Sequence, residues 1–273
     1  MEKVPILLYH TLCSATDKTA DARAVTFENF KQQMEYLHHN GFIGISLERF
    51  VSEMEYWKEE SSKDATRDSR KKVILTFDDG DISHYYYALP TLKDLGFSAT
   101  FFVTINEIGK PGRMEWPMVY DLTRSGMDVG SHGLTHAYLT AHHNYTILNE
   151  LLLSKQVLEK YIRRRVNFLS VPGGFFSKQV LAIAKDVGFK AVCVADPGFN
   201  DFSDEKLFAL KRFTIRRSAR AKTVRQIANG APPLVLSLEE NSRMVLRNAL
   251  GYQVYDKMRA LKNRRKKEER EEK

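Results

Sequence analysis

Cysteine is nearly absent from this sequence of 273 residues. The two that occur, Cys13 and Cys193, lie far apart along the chain and make no pair at the spacing of metal ligands. The segment 1–10 contains only Lys3 as a basic residue and has no long apolar stretch, so it does not resemble a signal peptide. We therefore expect reduced thiols and a cytoplasmic protein.

Long hydrophobic runs are also lacking, because every apolar stretch is short and interrupted by charge. This pattern predicts no transmembrane helix. The net charge is +8, yet no aromatic residues alternate with the basic ones and no nucleic-acid motif is present, which argues against a nucleic-acid partner.

Charge of both signs is concentrated in residues 262–273. We interpret this tail as a solvated, fraying helix end. The alternative is a weak electrostatic association with an anionic membrane surface at the inner face of the membrane, through Arg264, Arg265, Lys266 and Lys267.

Predicted strands and helices alternate along most of the chain. This order is typical of a parallel sheet, and the number of units predicts an α/β fold: a deformed (β/α) barrel of seven or eight mainly parallel strands. We assign residues 1–255 to the barrel domain and residues 256–273 to the charged tail. The predicted strands are 4–9, 73–77, 99–104, 127–130, 168–171, 191–195, 213–215 and 234–238.

Titratable residues follow three of these strands. His10 follows the first strand, Asp78-Asp79-Gly80 follows the second, and His132 comes shortly after the strand at 127–130. The carboxyl ends of barrel strands form one face, where active sites of such barrels lie. We therefore expect these side chains to meet at one rim.

A metal site is the most specific interpretation of the residues at this rim. His132 and His136 are four residues apart, so on a helical turn both imidazoles would face one way. Two imidazoles with one carboxylate would leave a coordination position open for water, as catalytic zinc requires. Taken alone, Asp78-Asp79-Gly80 is more typical of a plain turn than of a metal site.

Residues 76–80 (Thr-Phe-Asp-Asp-Gly) and 131–136 (Ser-His-Gly-Leu-Thr-His) resemble the first two signature motifs of the polysaccharide deacetylase, or NodB-homology, family. The resemblance covers roughly residues 4–238. It implies a general base at Asp78.

The same resemblance implies a divalent metal ion, most simply Zn²⁺, held by Asp79, His132 and His136. Two departures from the family pattern stand out. The third motif reads Ser170-Val171-Pro172-Gly173-Gly174 and lacks the arginine that usually orients the base. The fifth motif, at residues 234–240, lacks the histidine that usually acts as the acid.

Tyr9-His10 resembles the corresponding motif of a circularly permuted subgroup, in which an N-terminal histidine takes the role of the acid. This implies His10 as the general acid, whereas a strand-end histidine bonded to a backbone carbonyl is the structural alternative. We further expect Pro172, Gly173 and Gly174 to contact substrate, with a backbone N–H at the oxyanion. Trp116 is predicted either to stack on a sugar or to pack as an ordinary aromatic residue.

The resemblance implies a hydrolase that removes an N-acetyl group from an amino sugar of a polysaccharide or a glycan precursor. Two alternatives remain at this point. One is hydrolysis of a non-glycan C–N bond on the same fold, and the other is a catalytically inactive glycan-binding relative.

Overall fold

The computed structural model describes residues 4–17, 20–59, 70–200 and 204–232, together with the isolated helical positions Val245, Leu250, Val254 and Met258. The strands are β1 (Ile6–Tyr9), β2 (Leu12–Cys13), β3 (Val25–Thr26), β4 (Phe42–Ile45), β5 (Lys71–Phe77), β6 (Thr100–Val103), β7 (Asp128–Ser131), β8 (Phe168–Ser170), β9 (Ala191–Cys193) and β10 (Phe213–Thr214). The α-helices are α1 (Phe27–His39), α2 (Leu47–Glu59), α3 (Leu89–Asp94), α4 (Trp116–Arg124), α5 (Asn144–Ile162), α6 (Lys178–Asp186) and α7 (Ala221–Ala228). A π-helix, His84–Ala88, leads directly into α3.

The main sheet is parallel and curls into a barrel. Its strands follow the order β10-β1-β5-β6-β7-β8-β9, and β4 pairs with the first half of β5. A parallel bridge between Cys193 and Leu210 joins β9 to the segment that leads into β10. This irregular contact brings the two ends of the sheet together, and the predicted α/β deformed barrel is confirmed.

Alternate residues of the strands enter two different apolar clusters. Ile6 and Ile74 belong to a smaller cluster that also contains Phe102 and Phe168 from two other strands. Their neighbours along the strands belong to a larger cluster that includes the apolar faces of the helices. Because side chains of a strand alternate between the two faces of its sheet, the smaller cluster fills the barrel interior and the larger one lies between sheet and helices.

Helix α2 closes the foot of the barrel. It begins at Leu47, whose backbone N–H donates to Thr100 Oγ1 at 2.9 Å. Leu47, Phe50 and Val51 are buried in the interior cluster, and Met54 packs partly buried against it. The first two turns of the helix therefore face the barrel.

Other helix ends follow the local sequence closely. Thr26 caps α1 by accepting the N–H of Asn29 at 3.2 Å, and Ser177 caps α6 by accepting the N–H of Val180 at 3.2 Å. Such caps satisfy N–H groups that a first helical turn leaves without partners.

Two sequence predictions fall outside the described residues: the strand at 234–238 and the charged tail at 256–273, apart from the single position Met258. Among the residues that the structure does describe, no helix has the length and apolar character needed to cross a bilayer.

Candidate metal and catalytic site

The rim at the carboxyl ends of the strands gathers the residues that the motifs singled out. Asp78 and Asp79 immediately follow β5, and His132 immediately follows β7. Between these two strands lies β6, so the two motifs are separated by one strand in the sheet. His136 returns to the same place from the loop after His132.

Asp79, His132 and His136 form a compact group of possible metal ligands. The Oδ1 atom of Asp79 lies 3.3 Å from Nε2 of His132 and 3.4 Å from Nε2 of His136. One ligand atom from each residue lies within 4.8 Å of the other two. The structure therefore brings together the three residues that the sequence predicted as ligands.

The donor set suits a divalent ion of the zinc type. Nδ1 of His132 contacts the backbone carbonyl of Ser170 at 2.7 Å, which places the proton on Nδ1 and leaves the Nε2 lone pair towards Asp79. Two imidazole nitrogens and a carboxylate oxygen match the ligand types of catalytic zinc sites.

Backbone strain accompanies these ligands. Asp79 has a φ of 75° and His136 a φ of 63°, and they are two of the three non-glycine residues with positive φ in the described part of the chain. This conformation is costly for residues with a Cβ atom and persists where surrounding contacts impose it. Arg113 provides one such contact, since its Nη1 donates to the backbone carbonyl of Asp79 at 3.1 Å.

The motif loop at residues 132–136 is not the helical turn that the spacing suggested. It is an irregular segment with Gly133 at a φ of 80°. The expectation that both imidazoles face one way holds, but for a different reason: the chain reverses locally at Gly133 and His136.

Asp78 is buried and is held by an arginine that the sequence analysis missed. Arg212 donates from Nη1 to Oδ1 and from Nη2 to Oδ2 of Asp78, both at 2.8 Å. Ser170 donates from Oγ to Oδ2 of Asp78 at 2.9 Å, and Arg212 Nη2 also donates to Ser170 Oγ at 2.8 Å. The arginine absent from the third motif is thus replaced by one from the segment just before β10.

A signal for Arg212 exists in the sequence. The short run 210–215 contains two basic residues, Lys211 and Arg212, and Arg212 stands two residues after Leu210, which belongs to the barrel interior. The alternation of strand side chains places Arg212 on the same inner face. An inward arginine requires a carboxylate, although the alternation alone does not indicate which one.

Electrostatics keep Asp78 in its ionised form. Burial by itself raises the pKa of Asp78, but the charge of Arg212, the nearby His132 and the hydrogen bonds from Arg212 outweigh it and lower the pKa to about 2. For Asp79, burial also raises the pKa, and contacts with His132 and His136 bring it well below its usual value. Both carboxyl groups are therefore acceptors at neutral pH.

His10 lies at the end of β1, between β10 and β5 in the barrel order. The Nε2–H of the buried His84 donates to the backbone carbonyl of His10.

Burial lowers the pKa of His10 to about 3, with a further lowering by Arg23, while Asp79 and Asp78 act in the opposite direction. Burial thus outweighs the neighbouring carboxylates in setting the direction of this pKa. Tyr9 points away from this site, since its hydroxyl donates to Gln33 Oε1 at 2.8 Å.

The Pro172-Gly173-Gly174 segment forms a tight turn after β8. A Cβ atom on Gly173 would meet Tyr138 Cε1 at 2.3 Å, and one on Gly174 would meet the Cβ of Ala195 at 2.4 Å. Close packing therefore accounts for both glycines. The N–H of Gly174 donates to the carbonyl of Val171 at 2.9 Å.

Trp116 lies at the start of α4 and stacks on Tyr161 near the end of α5, with ring centroids 3.9 Å apart. Tyr161 is eleven residues along α5 from Glu150, the residue through which that helix contacts the 132–136 loop. This packing partner favours the structural interpretation of Trp116 over a role in stacking on a sugar.

Comparison with known proteins agrees with the motifs. The family model "Polysaccharide deacetylase" matches residues 65–192. The Bacillus subtilis protein YxkH, named after the polysaccharide deacetylases, is 26% identical over 216 residues, which are 78% of this chain and 71% of YxkH. A peptidoglycan-N-acetylglucosamine deacetylase of Bacillus cereus is 28% identical over 125 residues, or 45% of this chain and 56% of that protein.

Solved structures show the same architecture. A polysaccharide deacetylase from Bacillus cereus is 25% identical, with a TM-score of 0.68 over 84% of this chain and 68% of that one. The deacetylase PplD of Streptococcus pyogenes, solved with acetate, shares the fold at a TM-score of 0.71, with 24% identity over 82% of this chain and 97% of PplD. The segment that matches the polysaccharide deacetylase model, residues 65–192, contains Asp78, Asp79, His132 and His136, so the similarity to that family includes all four residues of the two motifs.

Proposed function

We propose that this protein hydrolyses the amide bond of an N-acetylated amino sugar in a polysaccharide or a glycan precursor. Water adds across the C–N bond, so that acetate and the free amine of the sugar are the products. The observation that carries the proposal is the meeting of two units at the rim: the Asp79, His132 and His136 group, and the buried pair of Asp78 and Arg212.

Asp79, His132 and His136 are proposed to hold a divalent metal ion, with Zn²⁺ as the simplest choice. When bound, such an ion polarises a carbonyl and makes a water molecule more acidic. The remaining chemistry belongs to the side chains around it.

Asp78 is proposed as the general base that takes a proton from the attacking water. Arg212 engages both carboxylate oxygens, so it fixes the orientation of Asp78 and keeps it ionised. Arg212 is thus a positioning residue in the role that the third motif leaves vacant.

His10 is proposed to deliver the proton to the leaving amine. The effect of its charge on the pKa of both Asp78 and Asp79 supports a place beside them. Because burial favours the neutral form of the free imidazole, we propose that His10 becomes charged during the reaction by taking up the proton that Asp78 removes from the attacking water, and that it then passes this proton to the leaving amine.

Backbone donation to the oxyanion is proposed for the third-motif turn. Pro172 has no N–H, so the proposed donor lies elsewhere in this turn. The cytoplasmic location stays a prediction. Association with an anionic membrane also stays a prediction, because residues 262–273 lie outside the described part of the chain.

The test is acetate release by the full chain from N-acetylglucosamine oligomers, peptidoglycan, nucleotide sugars and lipid-linked sugars, with and without chelator. Asp78→Asn keeps the shape of the side chain but weakens its basicity, so turnover should fall on the order of 100- to 10,000-fold. Asp94→Asn, an exposed change on α3, serves as the matched control and should leave turnover unchanged.

Near-normal turnover by Asp78→Asn would remove Asp78 from the mechanism. Release of acetate or ammonia from non-glycan amides, with none from any sugar, would favour hydrolysis of a non-glycan C–N bond. No hydrolysis together with tight glycan binding would indicate the inactive binding relative.

A further inference from the structure

A buried carboxylate of α5 lies behind the loop that joins the two histidines. Glu150 is only 6% exposed. Its Oε2 accepts the backbone N–H groups of Leu134 at 2.9 Å and Thr135 at 3.0 Å. Its Oε1 accepts the hydroxyl of Thr135 at 2.6 Å. One ionised side chain thus binds three donors of a segment that has His132 at one end and His136 at the other.

The loop needs such a partner because regular structure does not supply one. With Gly133 and His136 both at positive φ, two successive N–H groups point to the same side and form a concave anion-binding surface. Hydrogen bonds to an ionised acceptor are roughly twice as strong as neutral ones. A Cβ atom on Gly133 would come within 3.3 Å of Glu150 Oε2, so the close approach also requires glycine there.

The loop is held by hydrogen bonds from two sides. Opposite Glu150, the N–H of Asn106 donates to the carbonyl of Leu134 at 2.9 Å, and the N–H of Ile105 donates to the carbonyl of Gly133 at 3.3 Å. Leu134 therefore has its N–H fixed by α5 and its carbonyl fixed by the turn after β6. Without Glu150, the loop would keep its hydrogen bonds from Ile105 and Asn106 but lose those to α5.

The two histidines do not depend equally on the hydrogen bonds that Glu150 makes with the loop. His132 is anchored by its Nδ1 bond to Ser170 and by its N–H bond to the carbonyl of Val103 at 2.9 Å. The side chain of His136 is 38% exposed, and its strained backbone comes directly after Thr135. Loss of Glu150 should therefore release His136 more than His132.

We propose that Glu150 is a positioning residue that sets the place of His136, and through it the affinity of the site for its metal ion. The inference rests on the metal site of the proposed function. Outer partners that orient metal ligands typically contribute 10- to 100-fold to metal affinity. Glu150 holds the backbone of the ligand loop, whereas the usual outer partner bonds to an imidazole ring.

The same helix offers a matched control. Glu159 accepts the N–H of Val166 at 3.0 Å through Oε1 and pairs with Lys155 at 3.1 Å. It therefore also fixes a loop backbone from α5. It lies nine residues from Glu150, about 13 Å along the helix axis, towards the opposite end of the barrel. Its loss should affect stability without affecting the metal site.

The experiment measures the affinity of the full chain for Zn²⁺ by competition with a chromophoric chelator, and records the visible spectrum of the Co²⁺ form. We expect Glu150→Ala to weaken Zn²⁺ binding about 10- to 100-fold and to alter the Co²⁺ spectrum as one imidazole is displaced. Glu150→Gln can still accept both N–H groups, so it should restore much of the affinity. Glu159→Ala should bind as the wild type does.

If Glu150→Ala does not fold, Thr135→Val removes one of the three donors while keeping the carboxylate, and it should weaken Zn²⁺ binding by a smaller factor. Wild-type affinity and spectrum in Glu150→Ala, or in Thr135→Val where Glu150→Ala does not fold, would overturn the proposed role of Glu150 and leave the metal site in place. A wild-type protein that binds neither Zn²⁺ nor Co²⁺ would overturn the metal site itself.

Discussion

Individual side chains at the rim are constrained by charge as much as by shape. Asp78 is buried, which is tolerable only because Arg212 pairs with both of its oxygens. His10 has no such counter-charge, so burial and Arg23 keep its pKa low. Asp78 is therefore held ionised while burial favours the neutral form of His10, so the two groups differ in protonation before the reaction begins.

The role of His10 as the acid makes a prediction at this scale. His10→Ala should lower kcat for an N-acetyl sugar by about 100-fold or more, because its amine must be protonated as it leaves. Activated acetyl esters need no such proton and should lose much less. Parallel kinetics on the two substrate types measure the difference.

His142→Ala, an exposed change outside the site, controls for the loss of an imidazole and should leave both rates unaltered. Equal losses by His10→Ala on amides and esters would instead assign the His10 side chain a structural role.

At the scale of elements, one end of the barrel holds the candidate site and the other end is closed by α2. The carboxyl ends of the strands hold the strained and charged residues. At the foot, α2 meets the first residues of β6 and β7 through Thr100 and Asp128. Asp128 Oδ2 accepts the N–H of Glu48 at 3.2 Å, which ties α2 to the sheet.

Asp128 makes stability depend on pH. Burial raises its pKa to about 6, against smaller lowering effects of the hydrogen bonds from Ser46 and Glu48. The unfolded value is about 3.9, so the protonated carboxyl favours the fold. That contribution is fully present below about pH 4 and is lost as the pH rises through 6.

Asp128→Asn, which keeps an acceptor for Glu48 but carries no charge, should therefore be more stable than the wild type at pH 8, by roughly 1–3 kcal/mol. The gain should shrink steadily as the pH falls from 7 to 4. Urea unfolding of both proteins across this range measures it. A gain that does not change with pH would show that Asp128 does not titrate in this way.

For the whole molecule, the candidate ligands link two separate strand ends. Asp79 follows β5, whereas His132 and His136 follow β7. A metal ion that binds all three would bind the folded chain but not the unfolded one. Binding should then be measurable as global stability.

Saturating Zn²⁺, at about 100 times its dissociation constant, should add about 2.7 kcal/mol. For a chain of this size that corresponds to a rise of roughly 5–10 °C in Tm. Differential scanning calorimetry with Zn²⁺ and with chelator measures the shift. His132→Ala should abolish it, and His142→Ala should retain it. An unchanged shift in His132→Ala would exclude His132 as a ligand.

The sequence by itself determined the periodic features of this protein. Alternating strands and helices predicted the barrel, and motif residues directly after two strands predicted which side chains share its rim. These inferences succeed because residues that directly follow a strand must lie at the end of the barrel where that strand ends. Such local placement is what allowed Asp78, Asp79, His132 and His136 to be named together.

Only the tertiary structure decided which partners hold those residues. Arg212 is 134 positions from Asp78, and Ser170 is 92 positions from it. Glu150 reaches the histidine loop from the next helix. Alternation and helical periodicity show which way a side chain faces, but the curl of the sheet and the packing of α5 against it select the charge or donor that it meets. These contacts depend on the closed barrel as a whole, and no local pattern encodes them.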